Sequence, residues 1–388
     1  MTPLDRRGFF KSSSAAIGGA LALPGASTPA LAARPPAIGK PVLMKLGTQE
    51  PTSEENFIRF QRYGVKHVCG WYKIRDENRR YPTVDELDEV VALGRKYDIA
   101  IDMTDSPIGR GDKSAIMLGT EGRDREIEDF QTTIKNCAAA GIPVIKYYLS
   151  ILPILRLAHV QGRGDTFYNR WNYADATAPG SKLLYLAASQ GSDRLTGAGH
   201  VDAETCWERI TYFLDRVVPV ANEYKVKLAQ HPHDPGLPPQ GLMGAPNVLG
   251  TVDGLKRFVS IQESPYHGLN FCQGTMCEML ERPNEQICDV IHYFGSRKKI
   301  FNVHFRNIRG HRDDFVAECF PDDGDIDLPA TVQAYREVGY DGMLMPDHVP
   351  VMKPMGRPAQ QLETAREESF VFAYGYIRGL IQTAAKAG

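Results

Sequence analysis

The sequence predicts an α/β fold, a single closed barrel of eight parallel strands in which each strand is followed by a helix. Eight short apolar runs alternate with longer helical patterns between residues 42 and 384. Eight β-then-α units in order are typical of the (β/α)8 or TIM barrel. No glycine-rich dinucleotide turn follows the first strand, which disfavours the alternative architecture, a doubly wound open sheet.

The predicted strands are short apolar runs bounded by turn residues, and the length of the runs favours strands over helices. They are Val42–Gln49, His67–Tyr72, Ile99–Thr104, Val144–Leu149, Val226–His231, Leu269–Cys272, Phe301–Arg306 and Gly342–Pro346.

The predicted helices begin at polar capping residues and repeat apolar residues every three or four positions. Thr83 stands before one helix with Glu86 three residues on, which is a capping-box pattern. Ile210, Phe213 and Val217 give the helical spacing in another. The helices are Ser53–Tyr63, Val84–Tyr97, Arg123–Ala140, Ala203–Tyr224, Val252–Ser260, Asn284–Phe294, Leu328–Val338 and Gln361–Ala384.

The composition is that of a globular protein and excludes several function classes. The chain has 388 residues, of which 43% are hydrophobic and 24% charged, and its formal net charge is −2. These values exclude a disordered chain, a collagen-like fibre and a charge-driven nucleic-acid-binding protein. Seven cysteines are too few for a disulfide scaffold, and no run of apolar residues is long enough to predict a membrane-spanning helix.

The N-terminal residues have the layout of a bacterial twin-arginine signal peptide. Arg6 and Arg7 precede an apolar stretch, Ala15 to Leu23, and the small-residue site Ala30-Leu31-Ala32 follows. We therefore predict a cleavable leader over residues 1–33, a catalytic domain over residues 34–388, and a periplasmic or secreted protein that is free of the membrane after cleavage. The alternative interpretation is a frayed amphipathic N-terminus.

A long loop is predicted after the fourth strand. The segment from Ser150 to about Val201 is far longer than an ordinary βα connection. Loops of this length usually act as lids or binding loops.

Four consecutive strands end in residues that can bind a metal ion. In a barrel of this kind the reactive groups lie at the carboxyl ends of the strands. Imidazole, thiolate and carboxylate groups can share one divalent transition ion such as Mn²⁺, Fe²⁺, Co²⁺, Ni²⁺ or Zn²⁺, whereas Mg²⁺ matches a thiolate poorly. Each residue alone could have a structural role, and His233 and Asp234 remain alternative ligands. The predicted ligands are His231, Cys272, His304 and Asp347.

At these residues the sequence resembles the mannonate dehydratase family, within the superfamily of metal-dependent sugar isomerase-like barrels. The segment Gly162–Gly164, with Tyr168, Asn169 and Trp171, is similar to a substrate-loop segment of some members. The segments that match in the C-terminal half are His231–Pro235, Gly268–Gly274, Val303–Asn307, Gly324–Asp327 and Pro346–His348.

The resemblance implies a reaction and the residues that perform it. The four predicted ligands would bind Mn²⁺ or a similar ion, and His348 would be an acid/base residue. The reaction would remove water from D-mannonate and give 2-dehydro-3-deoxy-D-gluconate. The chain departs from the family pattern at Met345, where Arg is usual, and at Val349, where Gly is usual. No tyrosine stands between Ala365 and Glu368, where the family places one.

Further polar residues are predicted to act on a polyhydroxy acid. His348 follows Asp347 and can exchange protons near the ion without binding it. Arg306 is a second catalytic candidate, and its alternative role is a salt bridge at the barrel end. The predicted substrate-binding residues are His233, Asn307, Arg163, Tyr168, Asn169, Trp171 and Lys146.

Three classes of function are consistent with these residues. The first is a metal-dependent lyase that dehydrates a sugar acid. The second is a sugar isomerase or epimerase on the same metal-bearing barrel, and the third is a non-catalytic periplasmic sugar-acid-binding protein. The predicted partner is a small-molecule sugar acid and not a nucleic acid, and a homo-oligomer is an alternative to a monomer.

Overall fold

The structure is a computed structural model that describes residues 40–109, 114–185, 201–352 and 359–387. The predicted leader, residues 1–33, lies outside the described residues. The last part of the predicted long loop, residues 186–200, also lies outside them.

The strands of the described part are short, as expected for a barrel with surface connections. In chain order they are β1 Lys45–Thr48, β2 His67–Gly70, β3 Ala100–Asp105, β4 Val144–Tyr147, β5 Leu155–Arg156, β6 Ala158–Gln161, β7 Thr166–Asn172, β8 Leu184–Tyr185, β9 Lys227–Gln230, β10 His267–Cys272, β11 Ile300–His304, β12 Arg309–His311, β13 Asp314–Ala317, β14 Met343–Met345 and β15 Val351–Met352.

The helices differ widely in length. In chain order they are α1 Glu54–Tyr63, α2 Val84–Lys96, α3 Ala115–Leu118, α4 Arg123–Ala139, α5 Tyr173–Thr177, α6 Ala203–Tyr224, α7 Val252–Ser260, α8 Gln273–Glu278, α9 Pro283–Ser296, α10 Leu328–Glu337 and α11 Ala359–Lys386. None of the helices in the described ranges combines the length and the apolar character that crossing a bilayer requires.

Eight strands close into a parallel barrel, which confirms the predicted fold. Around the barrel the order is β1, β2, β3, β4, β9, β10, β11 and β14, and β14 pairs with β1. These strands coincide with the eight predicted ones, although individual ends are displaced by up to three residues. The eight predicted helices are also present, whereas α3, α5 and α8 were not predicted.

The helix starts follow the capping chemistry read from the sequence. The Thr83 side chain accepts a hydrogen bond from the Glu86 backbone N–H, and the Glu86 carboxylate accepts one from the Thr83 N–H. This reciprocal pair is a complete capping box at the start of α2. At α1, Ser53 Oγ accepts from the Asn56 backbone N–H at 3.2 Å. Each contact satisfies a backbone donor that the helix itself leaves free.

The interior of the barrel is packed with side chains rather than open. A buried cluster contributed by strands on all sides fills it, as expected for a barrel of eight strands. Its members are Cys69, Met103, Val144, Ala229, Phe301, Met343 and Met345. Buried polar groups also occur within the strands, where the Asn302 amide donates to Asn270 Oδ1 at 2.6 Å.

A second, antiparallel sheet joins three connections of the barrel. Strand β7 pairs with β6 along one edge and with β13 and β15 along the other, and β12 extends the sheet beyond β13. These strands come from the segments that follow β4, β11 and β14. Because all three segments leave the carboxyl ends of barrel strands, the sheet belongs to that end of the barrel. The segment after β4 therefore carries regular strands in its described part.

The C-terminal helix α11 is attached to the start of the barrel through a buried tyrosine. The hydroxyl groups of Tyr374 and Thr48 lie 2.6 Å apart, and Tyr374 also donates to the Glu50 carboxylate. Glu50 accepts in addition from Arg59 Nη2 at 2.7 Å. These contacts connect the last helix to the end of β1, which is the first strand of the barrel.

Phe130 tests how the helices are held against the barrel. Its ring lies on α4 with centroids 5.3 Å from Tyr147 and 5.2 Å from Phe213, and its side chain is fully buried. We expect Phe130→Ala to lower the free energy of unfolding by about 3–5 kcal/mol, because it removes a large apolar group and leaves a cavity. Urea unfolding followed by circular dichroism measures the change.

The matched control is Ile58→Ala, because Ile58 is an apolar helix residue that is 45% exposed. We expect this control to change the free energy of unfolding by no more than about 0.5 kcal/mol. Equal effects of the two substitutions would contradict the packing described.

Candidate metal centre

The four predicted ligands stand at the carboxyl ends of four neighbouring strands. Cys272 and His304 are the last residues of β10 and β11, and His231 directly follows β9. Asp347 lies two residues beyond β14. Cys272 is paired in register with His304, and His304 with Met345. Parallel pairing at this register therefore brings the four side chains to one height on one side of the barrel mouth.

The four side chains converge, as the sequence predicted. Their ligand atoms all lie within 4.8 Å of one another, and all four residues are buried. His304 Nδ1 is 3.2 Å from both His231 Nε2 and Asp347 Oδ2, and Cys272 Sγ is 3.9 Å from the same Asp347 oxygen.

The protonation state of the two histidines favours cation binding. Burial lowers the pKa of His231 well below its ordinary value and the pKa of His304 to about 4, with Lys146 adding a smaller lowering effect on His304. Both rings are therefore neutral near pH 7, which is the form that binds metals. His231 Nδ1 lies 2.7 Å from the Pro232 carbonyl, so this nitrogen carries the proton and Nε2 keeps its lone pair.

An unsatisfied acceptor among the four side chains indicates that the site favours a positive charge. Burial acts to raise the pKa of Asp347, but interactions with His304, Arg306 and His348 dominate and hold that pKa well below its usual range. Asp347 Oδ1 is buried without a hydrogen-bond partner. A buried acceptor of this kind is costly unless a cation or donor satisfies it. Nitrogen, sulfur and oxygen donors that converge in this way fit a divalent transition ion.

A network of buried charges lies directly beside the ligands. We call Arg156, Asp234, Glu278, Arg306 and Glu318 the buried ion network. Arg306 Nη2 is 2.7 Å from Asp234 and its Nη1 is 3.0 Å from Glu278. Arg156 contacts Asp234 at 2.5 Å and Glu318 at 2.6 Å.

Arg306 connects this network to the four predicted ligands. Its Nε lies 3.5 Å from Asp347 Oδ2. The side chain passes closely over Gly274, where an added Cβ would stand 2.4 Å from Arg306 Cγ. Glycine is required at this position because any side chain would displace the arginine.

Carboxylates outnumber guanidinium groups around the cluster. The two arginines of the network face Asp234, Glu278, Glu318 and, through Arg306, Asp347. Burial and the neighbouring Asp234 raise the pKa of Glu278 to about 7. The surplus of buried negative charge is a further reason why a cation is favourable here.

His348 is the partly exposed member of the site. Its side chain is 34% exposed to solvent, and its Nε2 lies 3.6 Å from Asp347 Oδ2. The imidazole therefore stands beside a ligand and in contact with solvent. This is the position that the sequence predicted for an acid/base residue.

Lys146 reaches across the barrel mouth. It extends from β4 to Gln49, which follows β1, with Nζ 2.6 Å from Gln49 Oε1. Because β2 and β3 separate these two strands in the barrel, the contact spans the opening. Lys146 is 5% exposed and also lies 3.9 Å from Asp105.

Two other predicted substrate-binding residues have their polar groups engaged in loop structure. His233 is buried, with Nδ1 2.5 Å from Asn247 Oδ1 and Nε2 2.6 Å from the Leu149 carbonyl. The Asn307 amide donates to the carbonyls of Pro321 and Ile326, and its oxygen accepts from two backbone N–H groups. Through these hydrogen bonds, His233 and Asn307 hold the loops around the four ligands.

Three of the residues predicted in the long loop, Tyr168, Asn169 and Trp171, lie on β7 of the second sheet, and Arg163 lies in the turn between β6 and β7. Arg163 pairs with Asp322 at 2.8 Å and covers the Phe320 ring, and Tyr168 donates to Asp323. Asn169 and Trp171 are buried in β7, opposite Ala317 and Phe315 of β13. The structure thus groups these four residues with the second, antiparallel sheet, which we call the covering sheet, and not with the four ligands.

Sequence reasoning missed part of the surroundings of the ligands. Arg156, Thr275 and Glu278 were not predicted, although each is buried within the described site. One signal was available, because Arg156 is a charged residue inside the apolar run Ile151–Leu157. The other two lie on α8, a helix too short for periodicity to reveal.

Comparisons with known proteins agree with this geometry. Residues 172–386 match the family model described as D-mannonate dehydratase (UxuA). The mannonate dehydratase of Thermotoga petrophila is 31% identical over 255 residues, covering 60% of this chain and 69% of that protein. Mannonate dehydratase 1 of Halalkalibacterium halodurans is 30% identical over 287 residues, covering 68% and 76%.

A solved structure gives the same fold. The mannonate dehydratase of Streptococcus suis serotype 2 superposes with a TM-score of 0.73 at 21% identity, covering 89% of this chain and 95% of that one. At this identity the likeness supports the barrel fold itself.

The prediction of a periplasmic or secreted location is wrong. The relatives of this chain are mannonate dehydratases, which are cytoplasmic enzymes, and this relationship contradicts the predicted export. Paired arginines before a short apolar run are a compositional signal, and such a signal is too unspecific to outweigh the relationship to these enzymes.

The family match covers more than half of the chain and includes all four ligand positions. The relatives above reach 30% identity over more than two thirds of their own length. The chain belongs to the D-mannonate dehydratase family.

Proposed function

We propose that this protein dehydrates D-mannonate to 2-dehydro-3-deoxy-D-gluconate and water, with a divalent cation held by His231, Cys272, His304 and Asp347. The observation that carries the proposal is the convergence of these four donors at the mouth of a barrel of the D-mannonate dehydratase family. The catalytic domain in this proposal comprises residues 34–388.

The donor set narrows the choice of cation. Two neutral imidazoles, a thiol sulfur and a carboxylate suit Mn²⁺, Fe²⁺, Co²⁺, Ni²⁺ or Zn²⁺, and Mg²⁺ prefers oxygen ligands. Within this set we propose Mn²⁺. Binding requires that Cys272 lose its proton, and burial raises the pKa of this thiol to about 12 in the absence of a cation. Metal binding therefore releases a proton and weakens as the pH falls.

The reaction sets clear chemical demands on the site. A proton leaves the carbon beside the carboxylate, the hydroxyl leaves the next carbon, and the resulting enol rearranges to the 2-keto product. When bound, a divalent cation would supply Lewis acidity that stabilises the negative charge developing on the carboxylate. The residues must move the protons and hold the acid in place.

We assign proton transfer to His348. Its imidazole is next to the ligand Asp347, is partly exposed, and has Nε2 3.6 Å from the Asp347 carboxylate. A histidine in this position can take up or deliver a proton without occupying a ligand position.

Arg306 and Lys146 have separate roles in this proposal. Both terminal nitrogens of Arg306 are engaged by Asp234 and Glu278. With its position fixed in this way, the arginine orients Asp347 through its Nε. Lys146 stands at the barrel mouth, with its ammonium group 2.6 Å from the neutral Gln49 amide and 3.9 Å from the Asp105 carboxylate. A carboxylate of a sugar acid would be a stronger partner for this ammonium than the amide.

The proposed reaction is tested with the purified full chain, Mn²⁺ and a panel of hexonates and uronates. We expect D-mannonate to give a 2-keto-3-deoxy product with the mass of one water lost, and a chelator to stop its formation. A product of unchanged mass would indicate an isomerase or epimerase, and no product from any acid would indicate a binding protein. Either result would contradict the proposal.

The ligand assignment is tested by Cys272→Ser and His304→Ala. We expect both substitutions to lower the bound Mn²⁺ and the turnover together, because each removes one of four donors. Elemental analysis of the purified protein gives the metal content. The matched control is Cys288→Ser on the outer helix α9, which should retain the metal content and activity of the wild type. Full metal content in Cys272→Ser would refute the assignment of this cysteine.

The role of His348 is tested by His348→Asn. We expect a loss of about 10²–10⁴ in kcat with unchanged metal content, because the substitution removes proton transfer and leaves the four donors in place. His311→Asn is the matched control, since His311 is an exposed histidine of β12. Wild-type turnover in His348→Asn would show that the acid/base group is another residue.

A further inference from the structure

Thr275 occupies an unusual place beside the proposed metal centre. It lies on α8, three residues after the ligand Cys272, and its side chain is fully buried. Residues three apart on a helical turn share one face. Thr275 Oγ1 is accordingly 3.1 Å from Cys272 Sγ.

The same hydroxyl contacts two members of the buried ion network. Thr275 Oγ1 is 2.8 Å from Arg306 Nη2 and 3.2 Å from Asp234 Oδ2. A guanidinium group only donates hydrogen bonds, so the hydroxyl oxygen accepts from Arg306. The single hydroxyl hydrogen is then free to point at either Cys272 or Asp234.

The charge arrangement decides between these two acceptors. Asp234 already receives hydrogen bonds from Arg156 at 2.5 Å and from Arg306 at 2.7 Å. A thiolate at Cys272, by contrast, can only accept hydrogen bonds, and the Thr275 hydroxyl is within reach of it. When a cation is bound and Cys272 is a thiolate, a hydrogen bond from the Thr275 hydroxyl therefore stabilises the sulfur more than it stabilises Asp234.

We propose that Thr275 is a positioning residue, which holds the Cys272 sulfur for the cation by donating its hydroxyl hydrogen while Arg306 fixes the orientation of the hydroxyl. The inference rests on the proposed metal site and adds a residue to it. It also explains why Arg306 contacts both sides of the centre, with Nε near Asp347 and Nη2 at Thr275. A single guanidinium thereby orients two of the four ligands.

The identity of the residue supports this role. A threonine has a restricted χ1 angle because its Cβ is branched, so its hydroxyl is held in direction. Groups that orient a metal ligand commonly affect metal affinity by about 10- to 100-fold when they are removed.

The experiment compares Thr275→Val and Thr275→Ser by binding of Co²⁺ alone to the full chain. Valine keeps the branched shape and removes the hydroxyl, whereas serine keeps the hydroxyl. Competition with a chelator gives the dissociation constant, and the thiolate-to-Co²⁺ charge-transfer absorption reports on the sulfur. Cys272→Ser identifies that absorption by its disappearance.

We expect Thr275→Val to bind Co²⁺ about 10- to 100-fold more weakly than the wild type and to shift the charge-transfer band. Thr275→Ser should keep most of the affinity and the wild-type band. The matched control is Thr133→Val on α4, which removes another buried hydroxyl whose partner is a helix carbonyl. This control should leave both Co²⁺ readouts unchanged.

Circular dichroism of the ion-free proteins checks that each variant is folded, and Thr275→Ala replaces Thr275→Val if the latter does not fold. Wild-type affinity together with an unchanged band in the hydroxyl-free variant would overturn the role of Thr275 and leave the metal site standing. Co²⁺ binding to the wild type without a thiolate band would overturn the metal site itself.

Discussion

The register of two parallel strand pairs, β10 with β11 and β11 with β14, is the constraint on which the site depends. Cys272 is opposite His304 across β10 and β11, and His304 is opposite Met345 across β11 and β14. Side chains alternate between the two faces of a strand, so a slip of one residue would turn a ligand away from its neighbours. The backbone hydrogen bonds of the barrel thus fix the distances between donors that are remote in sequence.

Burial makes these donors effective and also makes them costly. An ionised carboxylate in a dry interior must be paired, and the two arginines of the buried ion network provide most of that pairing. Each guanidinium contacts more than one carboxylate, so removal of either arginine would leave charges unpaired in the interior. The geometry that allows cation binding is in this way tied to the stability of the folded chain.

The covering sheet links the site to the surface. Arg163 and Tyr168 hold the β6–β7 hairpin of this sheet to residues 322 and 323. Arg156 enters the buried ion network from β5, which pairs with β8 in a separate two-stranded sheet. The described parts of the connections after β4, β11 and β14 are therefore paired with one another at this end of the barrel. All four ligands are buried, and His348 is their partly exposed neighbour.

The sequence alone determined the barrel and its four converging donors, because both depend on local signals: apolar runs, capping residues, and the residue that ends each strand. It did not determine the location of the protein, nor what Asn307, Arg163 and Tyr168 contact. The buried ion network was decided by tertiary structure, since Arg156 meets Asp234 across 78 residues and Glu318 across 162. No local pattern encodes such contacts, because they exist only once closure of the barrel has brought the ends of distant strands together.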